Sequence, residues 1–169
     1  MATEWPIMND RGPPIDPTIV AEFEAKVGAK LPDDYVDFLL KINGGRTTRD
    51  HRVFTIRFAK SRTDDTVLNS LNSLRDPDES FDLETNWEQS RAWLPPEVIP
   101  VGYDDGGGTI VVVVAGLHRG QVWFLDGVDR RPDDANPRVE WFDRRDVAKV
   151  AGSFREFIDG LRPLEPAAQ

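Results

Sequence analysis

The chain of 169 residues has no cysteine and only two histidines, two tyrosines and two methionines. Without cysteine there can be no disulfide and no thiolate metal site, and the composition fits a reducing cytosol. His51 and His118 stand far apart in polar turns, outside any HExxH-type pair. Each therefore reads as a surface residue rather than a metal ligand. No serine occupies a GxSxG elbow, and a cysteine nucleophile is excluded. No apolar run approaches the roughly 18 residues of a membrane span, and the N-terminus shows no basic-then-apolar signal. Excess basic charge is missing as well. A net charge of −9 argues against direct nucleic-acid binding, which relies on lysine and arginine to neutralise phosphates.

What the chain does contain is organised around Val98–Asp126. Val98 to Tyr103 is short and β-rich, and Asp104-Asp105-Gly106-Gly107-Gly108 breaks it with residues that tolerate tight turns. Ile110 to Val114 is almost purely β-branched, as suits a strand packed on both faces. Gly116 to Gly120 makes a second turn before Gln121 to Leu125 returns. Three such strands form an antiparallel meander. The glycine triplet resembles a phosphate loop only superficially: carboxylates precede it and a strand, not a helix, follows.

Helices are expected on either side in the chain. Asp16 as N-cap, Pro17 at the first position and Gly28 at the end frame Ile19, Val20, Phe23 and Val27. A second helix opens at Pro32, carries Tyr35, Phe38, Leu39 and Ile42 on one stripe and stops at Asn43-Gly44-Gly45. Asn43 is read as a cap rather than a ligand contact. Val53 to Phe58 alternates as a half-buried strand. Residues 63–80 fit a short helix through Val67, Leu68, Leu71 and Leu74, with serines and asparagines weakening it. Phe81 to Trp93 reads as a helix, Val139 to Phe142 as a strand, and Val147 to Leu161 as one closing helix with a weak point at Gly152. The expected division is an irregular arm (1–15, with Trp5 and Ile7 tucked in), one α+β domain (16–162) and a tail (163–169).

Charge is unevenly spread. Gly45 to Thr63 holds six basic residues and one acid, whereas Asp64 to Glu97 holds nine acids and two arginines. Pairing between these neighbouring segments, with a solvated acidic face, is one reading; an acidic docking surface is the sharper one. Asp76, Asp78 and Glu79 resemble a piece of a calcium loop, but the glycine and terminal glutamate are missing. Carboxylates abound without a nucleophile, metal or oxyanion donor around them, so catalysis finds no support.

Four blocks, in order, resemble the SUKH superfamily of the Smi/Knr type. They are Leu31-Pro32-Asp33-Asp34-Tyr35-Val36-Asp37-Phe38-Leu39-Leu40 with Asn43-Gly44-Gly45; Ile99-Pro100-Val101-Gly102 with Asp105-Gly106-Gly107-Gly108; Gly120 to Asp126; and Ala151 to Leu161 around Ser153-Phe154-Arg155-Glu156-Phe157. The likeness spans Asp16 to Leu161. It implies an α+β fold, a central antiparallel sheet flanked by helices. Many bacterial members are immunity proteins that bind a cognate polymorphic toxin, often a nuclease; others are regulatory or scaffolding modules, including a fungal regulator of cell-wall synthesis. No catalytic motif, cofactor or metal comes with the resemblance. The chain departs from the family in its arginine-rich and acidic segments, where a partner would be read. Asp78, Glu79, Asp82, Glu84, Asp104 and Asp105 are the expected contacts for a basic protein toxin in the cytoplasm, with no membrane involved.

Overall fold

Helix α1 (Pro17–Val27) begins where Asp16 Oδ1 accepts hydrogen bonds from the Thr18 and Ile19 amides, and ends at Gly28, whose N–H donates to Glu24 O. Helix α2 (Asp33–Lys41) carries Asp33 and Asp34 in its first turn, against the positive end of the dipole, and buries Tyr35, Phe38 and Leu39. The structure is a computed structural model that describes residues 4–58, 63–127 and 140–165. After Ile42 the backbone turns to positive φ at Asn43 (61°), Gly44 (78°) and Gly45 (110°). Asn43 is buried, and its work extends past the helix end. Its Nδ2 donates to Pro13 O (2.7 Å) and Leu74 O (2.9 Å), and its Oδ1 accepts from Leu74 N (2.9 Å). One side chain thus ties the N-terminal arm to the segment after the fourth strand.

The arm is less irregular than expected. Strand β1 (Met8–Asn9) pairs antiparallel with β2 (Arg46–Thr47) in a small sheet. Trp5 is buried, with the Arg155 guanidinium over its ring and its Nε1 donating to Asp37 Oδ2 at 2.8 Å. The Lys41 ammonium, hydrogen-bonded to Asp37, holds that carboxyl below the usual range, helped by Trp5. Ile7 is 77% exposed, contrary to expectation.

The main sheet has six antiparallel strands in chain order: β3 (Val53–Arg57), β4 (Thr63–Leu71), β5 (Val98–Asp104), β6 (Thr109–Val113), β7 (Val122–Leu125) and β8 (Val147–Ala151). Helix α3 (Leu83–Ser90) interrupts the meander between β4 and β5, and α4 (Phe154–Asp159) follows β8. Alternation along the central strands sorts side chains to two faces. Ile110, Val112 and Phe124 join the main core with Phe23, Tyr35, Phe38, Leu39, Phe154 and Phe157. Val111, Val113, Trp123 and Leu125 meet Leu94, Val147 and Trp141 on the opposite face. The outer strands β3 and β8 also touch, and Arg162 exchanges backbone hydrogen bonds with Val53, so the sheet is curled and its edges are partly covered.

Three elements differ from the sequence reading. Residues 63–71 form a nine-residue strand, because pairing with both β3 and β5 overrides weak helical spacing. Val147 to Leu161 splits into β8 and α4. Ser153 caps the new helix by accepting from Glu156 N, while Glu156 Oε2 accepts from Gly152 N. Trp141–Asp143 is a 3-10 turn, not a strand; Val139 lies outside the described residues. Helix α3 is also shorter than Phe81 to Trp93, starting at the Asp82 cap and ending before Trp93.

Gly44 faces the carbonyl of Asn72: a Cβ there would lie 2.7 Å from Asn72 O. Gly44→Val should cost about 1–3 kcal/mol from backbone strain alone, with the clash added. A urea titration of the isolated variant checks this; an unchanged midpoint would contradict it.

The Tyr35 hydroxyl is buried with no hydrogen-bond partner, and burial pushes its pKa well above the usual tyrosine value. Because the folded pKa exceeds the unfolded one, the stability linked to the neutral phenol is complete below about pH 10 and is lost as pH rises beyond it. Tyr35→Phe should be at least as stable at neutral pH and should lose less stability above about pH 10. Urea midpoints that run parallel for the two proteins across this range would refute the assignment.

Candidate protein-binding surface

The acidic stretch folds into a loop braced from within, ahead of α3. Asp76 Oδ1 accepts from Asp78 N (2.9 Å), and Asp78 Oδ1 accepts from Ser80 N (3.0 Å). These are the short-range bonds by which aspartate stabilises turns. Asp82 caps α3: its Oδ2 accepts from Thr85 N (2.9 Å) and Thr85 Oγ1 (2.8 Å), and its Oδ1 from Asp76 N (3.2 Å). Glu84 forms an ion pair with Lys26, joining α3 to α1. Asp78 and Glu79 are exposed.

The β5–β6 turn divides its two acids in the same way. Asp104 is buried and accepts from Thr66 Oγ1 and Gly108 N, both at 2.6 Å, which closes the turn and fastens it to β4. Asp105 is exposed, with one oxygen accepting from Asn69 Nδ2 at 2.9 Å. A polar chain links this end of β5 to the acidic loop. Tyr103 O–H donates to Asn86 Oδ1 (2.5 Å), and Asn86 Nδ2 donates to Ser80 O (3.1 Å) and Asp82 O (2.8 Å).

The six expected contact residues therefore separate by role. Asp82, Glu84 and Asp104 hold the fold together; Asp78, Glu79 and Asp105 present charge to solvent. Sequence alone carried a signal for Asp82 and Glu84, since Asp82-Leu83-Glu84-Thr85 reads as a helix start. The burial of Asp104 depends on Thr66, 38 residues away, and had no local signal.

Three arginines of the basic segment make contacts other than with the neighbouring acids. Arg49 Nε donates to Leu164 O (3.2 Å), Arg52 Nε donates to Leu68 O (3.1 Å), and the Arg46 guanidinium lies 5.9 Å from the Phe81 ring centroid. Asp65 pairs instead with Arg162 from the far end of the chain (2.9 Å). The Thr55 hydroxyl and Arg162 together hold its carboxyl below the ordinary range. Lys60 and Arg62 lie outside the described residues. Among the described residues, no cluster of three histidine or acidic side chains is placed to hold a metal ion, and no helix is long and apolar enough to cross a membrane.

A six-stranded antiparallel meander with helices packed on it and an exposed, internally braced acidic rim defines an α+β domain. The chain belongs to the SMI1 / KNR4 family (SUKH-1), whose model matches residues 14–160. It is also similar to the SPbeta prophage-derived uncharacterized protein YokK of Bacillus subtilis (strain 168). The two are 26% identical over 158 residues, covering 85% of this chain and 74% of that protein.

The division of labour among the acids is measurable without a partner. Asp104→Asn should destabilise the protein by about 1–3 kcal/mol, because an amide cannot accept at both oxygen positions. Asp78→Asn and Glu79→Gln should leave the urea midpoint unchanged. Equal effects at all three positions would show that the separation is wrong.

Proposed function

We propose that this protein is an immunity protein that binds a cognate polymorphic toxin, a basic domain such as a nuclease, and occludes its active surface. Family membership supports a binding role of the immunity or regulatory kind. The observation that carries the toxin reading is the pair of exposed acids, Asp78 and Glu79, on a loop whose own carboxylates and amides fix its shape. Asp105 extends the negative charge to the end of β5, across the Tyr103–Asn86 link. A pre-shaped acidic loop meets a basic substrate groove without an ordering cost, and its field speeds the encounter. The protein acts by occupancy, so stoichiometric complex formation, rather than turnover, is its mode of action. A scaffolding module would use the same domain without a toxin target.

The test is stopped-flow association with the toxin encoded beside this protein's gene, over a salt series. Wild-type association should slow as salt rises, since steering is screened over about 10 Å at 0.1 M. The triple variant Asp78→Asn, Glu79→Gln, Asp105→Asn should associate about tenfold more slowly at low salt, with its stability intact. A flat salt response with equal rates would remove the acidic surface from the mechanism. Failure of wild type to bind or neutralise that toxin would remove the immunity reading.

A further inference from the structure

The arm, the start of β2, the end of β4 and the acidic loop enclose a pocket of about 450 Å³. That lies within the range of small-ligand sites. Its walls include Arg11, Arg46, Ser70, Ser73, Asp76 and Phe81. The pocket depends on a close backbone approach at Gly45, where φ is 110° and a Cβ would lie 2.4 Å from Asn9 O.

The hydrogen-bonding capacity of these walls is unevenly committed. Asp76 already accepts from Ser73 Oγ (2.6 Å) and from Asp78 N (2.9 Å). Arg11 donates to Ile42 O (3.1 Å) and Lys41 O (2.6 Å), neutral partners that leave its charge uncompensated. Arg46 makes no side-chain hydrogen bond or ion pair among the described residues; its guanidinium is held only by the face of Phe81. Ser70 is 3% exposed, and its hydroxyl, closed off from solvent, has no partner among the described residues. Asp10, on the rim, is exposed to solvent.

We propose that this pocket binds a carboxylate carried on a short aliphatic stem. Arg46 receives the carboxylate through the fork geometry that favours bidentate pairing. Leu71 and Phe81 flank the stem. A free dicarboxylic acid and a glutamate side chain displayed on a protein loop share this chemistry. The proposal uses none of Asp78, Glu79 and Asp105 and is tested without a toxin, although Asp76, Pro77 and Phe81 of the acidic loop line the pocket.

The experiment is an NMR titration of the isotope-labelled protein with three probes: glutarate, N-acetyl-glutamate N-methylamide and the corresponding glutamine compound. The two carboxylates should shift the amides of Arg46, Ser70, Ser73 and Phe81 with a Kd of about 1 mM, the affinity expected of ligands with roughly ten heavy atoms. Tighter binding of glutarate points to a free acid as the natural ligand; tighter binding of the blocked glutamate points to a protein side chain. Arg46→Met keeps an aliphatic stem over Phe81 and removes the charge, and should weaken binding at least about tenfold. No shifts at about 20 mM, equal response to the glutamine compound, or full affinity in Arg46→Met would overturn the proposal.

Discussion

The burial of β6 on both faces governs the rest of the architecture. Its five residues, Thr109–Val113, are all buried, and Ile110 and Val112 point to one side while Val111 and Val113 point to the other. A strand in that position leaves no face for water, so both sides must be covered by separate groups. Helices α1, α2 and α4, with Trp87 of α3, cover one side. The other is covered by Leu94 and by the 3-10 turn that carries Trp141 and Phe142. Among the described residues the second cover is thin. Trp123 contributes to it through ring contacts with Phe142 (4.9 Å) and Trp141 (6.5 Å), which explains why so short a segment carries two adjacent aromatics.

Where local pattern and tertiary demand agree, the fold is legible in the sequence. Asp16-Pro17 through Gly28, the Tyr35–Phe38–Leu39 stripe and the meander from Val98 to Leu125 all appear as read. The failures have different causes. Val67, Leu68, Leu71 and Leu74 have helical spacing, yet β4 exists because β3 and β5 each offer a ladder to it, and no short window contains that information. Val147 to Leu161 is different, since its break was visible. Ser153 followed by Glu156 is the spacing of a capping box, and Gly152 before it marks a start rather than a flaw inside a longer helix. The 3.6-residue spacing of its apolar residues concealed the change of period at Gly152.

The candidate surface was less legible than the fold, because charge in a sequence does not disclose whether it is spent on structure. Asp82, Glu84 and Asp104 look like Asp78 and Glu79 in composition. They differ only through Thr85, Lys26, Thr66 and Gly108, partners supplied by the fold. Arg46 shows the same principle in reverse. Within a run of basic residues it seems interchangeable with Arg49 and Arg52, but those two donate to backbone carbonyls whereas Arg46 rests on an aromatic ring with its donors open. Which charges remain available for binding is decided by which ones folding leaves unpaired.

The same separation has a mechanical consequence. A protein that inhibits by occupancy gains affinity when its contact residues are already in place, since ordering a loop on binding subtracts from the interaction. The internal bonds of residues 76–82, the α3 cap and the Tyr103–Asn86 link fix the acidic loop to β5 and α3 before any partner arrives. Asn43 extends this framework from below: by holding both Pro13 and Leu74, it fixes the arm on one side and the approach to the acidic loop on the other. The pocket lined by Arg46 and Phe81 lies between those two tethered segments. Its shape and the posture of the acidic loop therefore depend on one buried asparagine, so a change at Asn43 would disturb both without touching a contact residue of either.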